Sequence, residues 1–475
     1  MTPPSVMELF LDTERRGGLA AQLYAQLREA IASGRLGAGD RLPPSRVLAG
    51  DLGVSRFTVA EVYSRLTAEG YVTGRAGGGT VVTSMLAGEP IDGEVAALQP
   101  TKGAAEIKRF DRNPLQQAQF DLRPGTVDLT LFPTEAWRRS MNQALRAGLG
   151  HYGDPAGSVE LRHSLAHWIA RSRGVTATAD RVVVTSGAQH AIDLLARVIT
   201  DPGDTVAVEE PGYPPVVELL RSLGRHVVGV PVDGEGIVVD AVPASAGMIY
   251  VTPSHQYPLG VVMSPARRVA LLRWANAHQA AVVEDDYDSQ FRHGTRPLEP
   301  LQRLDREGRV IYVGTFSKVL APSLRIGFAV VPPSILGPLV TLRQCIDWCP
   351  PTVTQQALAA FIDDGHLDRH VRRASRVYRE RLRQLTTALA SGLSFPSRAL
   401  PALTGLHVPL LLDRCVDERS LARVAARHDL MVGSLQRTYH FGPPAGGVVL
   451  GFGAVPTARI GGAVAALDAT LDALR

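Results

Sequence analysis

One lysine stands out because lysine is nearly absent. Of the 50 Lys+Arg residues only Lys102, Lys108 and Lys318 are lysine, so wherever a positive charge suffices the chain uses arginine. A lysine kept inside an ordered motif is a candidate for chemistry that needs a primary amine, which guanidinium cannot supply. Lys318, in GTFSKVLAPSLRIGF, meets that description. Two further stretches carry reactive types. VVEDDYDSQF gathers Glu284, Asp285, Asp286 and Asp288 around Tyr287. TSGAQHA sets a glycine turn between a β-branched run and a helical stretch, so the amides of Gly187, Ala188 and Gln189 can point at a phosphate with the helix dipole behind them. Cys345, Cys349 and Cys415 are the only cysteines; they support neither a disulfide framework nor a four-ligand zinc site, and no metal is expected. Cys345 and Cys349 read as small packing residues.

Such groups need a scaffold, and 475 residues exceed what one hydrophobic core usually serves. With 45% hydrophobic and 20% charged residues the composition is that of a globular protein. No apolar run reaches the roughly 18 residues of a membrane span, and the start lacks the pattern of an export signal, so a cytoplasmic location is expected. The net charge of +4 does not by itself announce nucleic-acid binding, which depends on local clusters of cations.

Leu19, Leu23, Leu27 and Ile31 recur at four-residue spacing and predict an amphipathic helix ended by Gly34. A short helix from Ser45 to Leu52, a turn at Gly53 and a helix capped by Ser55 make a helix-turn-helix. YVTGRAGGGTVVT then reads as a two-stranded wing. We expect a DNA-binding domain over residues 1–84, a linker over 85–119 and a large domain over 120–475. In the last, RVVVTSG, TVAVEEP, GMIYVTP, AAVVEDD, RVIYVGT and LRIGFAVV alternate with helical stretches, which predicts an α/β fold with a mainly parallel sheet and helices on both faces. HVPLLL and GVVLGFGAV predict a small α+β C-terminal subdomain.

From Leu42 to Val82 the chain closely resembles the winged helix-turn-helix of the GntR family. That resemblance implies that Arg46, Arg56 and Thr58 contact bases or phosphates of double-stranded DNA, with Ser55 capping and Gly78 letting the wing approach. Tyr63 and Leu66 are expected in the head's own core. Seven arginines against five acids between Leu19 and Ser84 leave a net +2, so a dimer on two half-sites is expected.

The run around Lys318 resembles the lysine motif of fold-type I enzymes that use pyridoxal 5'-phosphate, in which the lysine forms a Schiff base with the cofactor aldehyde. The resemblance implies that Thr315, Ser317 and Arg325 hold the cofactor phosphate. It implies that Asp285 keeps the ring nitrogen protonated, Tyr287 bonds the ring hydroxyl oxygen and Tyr213 stacks on the ring. Glu284 and Asp288 remain alternatives to Asp285, and Asp286 reads as structural. His255, Gln256 and Tyr257 stand where aminotransferases carry an Asn on the ring oxygen, and His255 is taken as the cofactor contact. Tyr152 in HYGDPAG would reach across a dimer to the partner's phosphate. The arginine that aminotransferases use for a substrate carboxylate is missing from GVVLGFGAV, and Arg437 is the nearest effector candidate.

Both halves together resemble the MocR-type subfamily, which fuses a GntR head to an aminotransferase-like body. This implies a cofactor-dependent transcription regulator in a head-to-tail, domain-swapped homodimer. It would answer to an amine, an amino acid or pyridoxal phosphate itself. A working aminotransferase with a DNA-tethering head is the alternative, since Lys318, Asp285 and Tyr287 serve both.

Overall fold

The computed structural model describes residues 18–75, 79–83, 98–107, 118–294 and 299–474. The chain divides into two compact units, Met1–Gln99 and Pro100–Arg475. Gly78 and most of the expected linker lie outside the described residues.

The first unit holds α1 (Leu19–Ala32), α2 (Ser45–Asp51) and α3 (Arg56–Ala68), followed by an antiparallel pair, β1 (Val72–Arg75) and β2 (Gly79–Val82). The stripe Leu23, Leu27 and Ile31 packs on Leu48, Val59, Val62, Tyr63 and Leu66, closing a core against Val72 and Val82. Gly53 turns the chain from α2 to α3 at φ 64°, a left-handed conformation that costs glycine little. Ser55 Oγ accepts from the Thr58 amide at 3.0 Å, satisfying one of the orphan donors of α3. Tyr63 donates to the Pro43 carbonyl at 2.8 Å, tying the middle of α3 to the entry of α2.

The second unit opens with α4 (Lys102–Glu106) and β3 (Phe120–Leu122), then α5 (Thr134–Arg146) and α6 (Val159–Arg173). Next come β4 (Val182–Thr185), α7 (Ala188–Ile199), β5 (Thr205–Glu210), α8 (Pro214–Ser222), β6 (His226–Asp233) and β7 (Gly236–Ile237). β8 (Ala246–Val251), α9 (Pro265–Ala277), β9 (Ala281–Asp286), α10 (Leu301–Leu304), β10 (Val310–Thr315) and β11 (Gly327–Val330) follow. The rest is α11 (Pro333–Asp347), α12 (Thr352–Asp363), α13 (His366–Gly392), β12 (Ser397–Ala399), β13 (His407–Leu412), α14 (Glu418–Arg427), β14 (Leu430–Ser434), β15 (Gly447–Gly451) and α15 (Ile460–Asp472). α4 falls in the segment read as linker, and it lies against α8.

Eight strands form the main sheet in the order β4-β11-β10-β9-β8-β5-β6-β7. Pairings from β10 to β6 are parallel; β11 and β7 run antiparallel to their neighbours. Both faces are buried. Val183, Val283, Ile311 and Val313 pack on α7, α8 and α11. Their neighbours in sequence turn to the other face: Val182 and Tyr312 meet α6 and α12, and Val282 meets α9. This period of two, apolar on both sides, is why these strands read as continuous hydrophobic runs.

The expected C-terminal subdomain is a five-stranded sheet, β12-β13-β15-β14-β3, covered by α13 and α15. Its edge is β3, which pairs in parallel with β14, Phe120 opposite Leu430. A three-residue strand carries no periodicity, so the sequence pattern alone missed it. Cys345 is exposed on α11 rather than packed. Cys349 Sγ lies 3.3 Å from the Gly153 amide. Among the described residues no helix is long and apolar enough to cross a membrane.

Candidate functional site

In parallel α/β sheets ligands bind outside the carboxyl ends of the strands. Here β4, β5, β8, β9 and β10 deliver side chains to one cavity of about 220 Å³. After β10 come Thr315, Ser317 and Lys318; after β4 come Ala188 and Gln189 at the start of α7. Asp285 ends β9 with Tyr287 just beyond, and Tyr213 precedes α8. All are positions that the sequence had singled out.

Strand geometry sorts the carboxylates of EDDYD. Glu284 accepts from the amides of Leu301 and Gln302, both at 3.0 Å, and caps α10. Asp286 faces away from the cavity, where it takes Arg173 Nε and the Tyr312 hydroxyl, each at 2.6 Å. Asp288 lies on the cavity wall but is bonded to His255 Nδ1 at 2.9 Å. Asp285 alone of the four reaches the cavity floor with an oxygen to spare: Oδ2 accepts from Tyr250 at 2.7 Å, while Oδ1 is buried without a partner.

Burial pushes the Asp285 carboxyl up to about 7, against the Tyr250 hydrogen bond, with the charges of Asp286 and Asp288 adding to the rise and Lys318 opposing it. Buried Glu209, bonded to Thr252, is likewise pushed up to about 7 by burial. In the unfolded chain both titrate near their ordinary values of about 4. Between those values and about 7 the ligand-free folded protein holds protons that the unfolded chain has released. The stability these two groups contribute therefore falls as pH rises through that window. The imidazoles of His190, His293, His370 and His407, all held below their ordinary value by burial, work in the opposite direction over part of this range. The contribution of Asp285 is therefore read by difference: between pH 5 and pH 7.5 the urea midpoint of ligand-free wild type should fall relative to that of Asp285→Asn. A difference that stays constant, or that shifts in favour of wild type across this range, would contradict the assignment.

Lys318 Nζ donates to the Gly125 carbonyl at 2.6 Å. Thr315 Oγ1 and Ser317 Oγ are 3.1 Å apart. Arg325, held in a left-handed conformation at φ 50°, lines the same end and donates to Ser186 O at 2.5 Å. A Cβ added at Gly187, φ 106°, would sit 3.2 Å from the Arg325 guanidinium, so the glycine lets the arginine close over the start of α7. Tyr287 donates to the His255 carbonyl at 2.9 Å, so bonding a ligand donor-first would mean exchanging that bond.

Two expected residues are elsewhere. His255 is not on the wall: its bond to Asp288 and its stacking against Tyr287 and His407 place it one layer behind. Tyr257 and His407 occupy the surface expected of it. Arg437 does not line the cavity either; it follows β14 and pairs with Glu418 of α14 at 3.2 Å. Tyr152 is 79% exposed, its ring 5.2 Å from Trp348. Among the wall residues that escaped the sequence reading, Tyr250 looks like core hydrophobe within β8 and His407 merely opens a strand; Tyr257 belongs to the run the sequence marked, in which His255 was taken as the contact. Burial pushes the His407 imidazole well below its ordinary value, and the nearby His255 adds to this. Its Nε2 lies 3.0 Å from the Pro258 carbonyl, an acceptor only, so that nitrogen carries the proton.

On the head, Arg46 is exposed on α2 and Arg56 on the first turn of α3. The Ser55 and Thr58 side chains are engaged with each other at 2.8 Å, and Thr58 is half-buried.

Residues 19–82 match the model of the gntR family of bacterial regulatory proteins, and residues 121–407 match that of aminotransferase class I and II. The probable rhizopine catabolism regulatory protein MocR of Rhizobium meliloti is 35% identical, covering 94% of this chain and 92% of its own. The chain belongs to the MocR-type regulators. It joins a GntR DNA-binding domain to an aminotransferase-like effector domain, in a fold family whose enzymes depend on pyridoxal phosphate. The pyridoxine biosynthesis regulator PdxR of Corynebacterium glutamicum is also similar to this MocR-type chain, at 33% identity over 94% of both chains. Among solved structures, the α-aminoadipate aminotransferase LysN of Thermus thermophilus, complexed with N-(5'-phosphopyridoxyl)-L-leucine, matches with a TM-score of 0.72. It is 28% identical and covers 78% of this chain and 97% of its own.

Proposed function

We propose that this regulator carries pyridoxal 5'-phosphate on Lys318 and that cofactor or amine binding in the body changes DNA binding by the head. The observation that carries the reading is one cavity in which a primary amine, an unpartnered buried carboxylate oxygen and an arginine beside a helix start converge. The residues fit the cofactor. A protonated ring nitrogen would supply the partner that Asp285 Oδ1 lacks, and a phosphate would find Arg325, Thr315, Ser317 and the amides at the start of α7. Tyr213 supplies an aromatic face, and Gly187 the clearance for Arg325. When bound, the cofactor offers an aldehyde and an electron-accepting ring. The chain's own part is to present the Lys318 amine, offer the Asp285 carboxylate to a protonated ring nitrogen and keep the Tyr287 hydroxyl beside His255.

Among the described residues Arg325 is the only arginine on the cavity wall, and it stands at the phosphate end. That favours pyridoxal phosphate itself, or an amine without a carboxylate, over an amino acid as the effector. The exposed Tyr152 and Trp348 suit a homodimer in which each subunit completes the other's site, with head-to-tail swapped heads. We assign residues 1–84 to DNA binding through Arg46, Arg56, Thr58 and Gly78, 85–119 to a linker and 120–475 to the effector domain, in a cytoplasmic protein. The second reading, a working aminotransferase, would use Lys318, Asp285 and Tyr287 as well; steady turnover of an amino acid with a keto acid would favour it.

The test follows the affinity of full-length protein for a duplex selected from a randomised pool, while pyridoxal phosphate and then amines are added. A coupling of roughly 1 to 3 kcal/mol, 5- to 150-fold in affinity, is expected. A protein that binds the duplex equally with and without them is not a cofactor-responsive regulator.

A further inference from the structure

Helix α3 has an apolar residue that the head does not use. Phe57, second in the helix, is 78% exposed and takes no part in the head's core, while Val59, Val62, Tyr63 and Leu66 on the opposite side are buried. Ala60 and Ser64, also exposed, follow it at the spacing of one helical face. Glu61, exposed one turn on from Phe57, is the one acid on that face, and the face is flanked at its start by exposed Arg56, with exposed Arg46 on α2. The cap formed by Ser55 fixes the first turn, so Phe57 projects from a defined position.

In a helix-turn-helix the N-terminal turn of the second helix meets base edges in the major groove. Of the groups displayed there, the thymine C5-methyl is the apolar one. A phenylalanine has no donor or acceptor to offer a base, but it can bury a methyl, and the cations beside it suit the phosphates that border the groove. We infer that Phe57 reads thymine in the operator through the C5-methyl group. The inference rests on the head's binding of duplex DNA and adds the base it selects.

The experiment uses full-length protein and a duplex it selects from a randomised pool, with each thymine replaced in turn by deoxyuridine. That exchange deletes the methyl and leaves every hydrogen-bonding group in place. Losing burial of one methyl-sized group predicts about fourfold weaker binding at one or two positions per half-site. In Phe57→Ala, whose exposed site leaves the fold intact by thermal unfolding, binding weakens on the thymine duplex and those positions lose their sensitivity. Phe57→Leu keeps part of it. If wild type binds the duplex but no thymine is methyl-sensitive, or Phe57→Ala keeps the same sensitivity, Phe57 does not read the methyl and DNA binding stands. If no duplex is selected, the DNA-binding reading itself fails and the inference with it.

Discussion

Protein carrying Lys318→Ala is expected to lose pyridoxal phosphate on extended dialysis and become colourless, whereas wild type keeps it and stays yellow. Borohydride treatment of wild type should fix the cofactor to the peptide containing Lys318 and to no other. The side chain offers the only primary amine on the cavity wall among the described residues, its nitrogen held by the Gly125 carbonyl within the same enclosure as Asp285. Without it, the site keeps phosphate and ring contacts but no covalent link, and apparent affinity should fall on the order of 100-fold or more. The scarcity of lysine makes this a clean test, because Lys102 and Lys108 are the only other lysine side chains. Cofactor kept by the variant through dialysis as firmly as by wild type, or label appearing on Lys102 or Lys108 after borohydride, would remove Lys318 from the role.

The second large effect is on stability. Arg173 and Asp286 are both buried, 2.6 Å apart, with Arg173 also donating to Ser254 and Asp286 accepting from Tyr312. Burial alone would raise the Asp286 carboxyl, yet the adjacent guanidinium and the hydrogen bonds from Ser289, Tyr312 and Arg173 hold it below its ordinary value. Arg173→Leu leaves that charge without its counterion, at a cost of about 3–5 kcal/mol. Adding Asp286→Asn to the same protein should recover a large part of the loss, because the uncompensated charge is gone. Urea unfolding of the two single variants and the double variant gives the coupling directly. A single variant within about 0.5 kcal/mol of wild type, the scatter of ordinary surface substitutions, would show that the pair does not hold α6 to the sheet.

How much could be read beforehand depended on whether a function sat in a local motif. The fold of the head's described residues was legible, since its stripe, glycine turn and Ser55 cap are all short-range signals. Lys318 was legible through composition, and Asp285 through a resemblance that strand alternation then explains: its neighbours Glu284 and Asp286 are claimed by α10 and Arg173. What could not be read depends on groups brought together from afar. His255 was expected on the wall because only its neighbourhood in sequence was visible, and its partner Asp288 lies 33 residues on. Arg437 was chosen as the nearest arginine in sequence, and only the fold pairs it with Glu418. β3 and β6 were missed for opposite reasons, one too short for periodicity and the other interrupted by glycine and proline.

The pairing of β3 with β14 has a consequence for synthesis. Phe120 and Leu430 are about 310 residues apart, so a ribosome adding roughly 5–20 residues per second needs about 15–60 s to deliver the partner strand. The head, whose core closes within its own short stretch, can fold long before then. The strand at the start of the body must wait unpaired while the rest of that domain emerges. The nascent chain therefore carries a finished DNA-binding module ahead of an unfinished body, and the edge at Phe120–Leu122 stays open until β14 emerges.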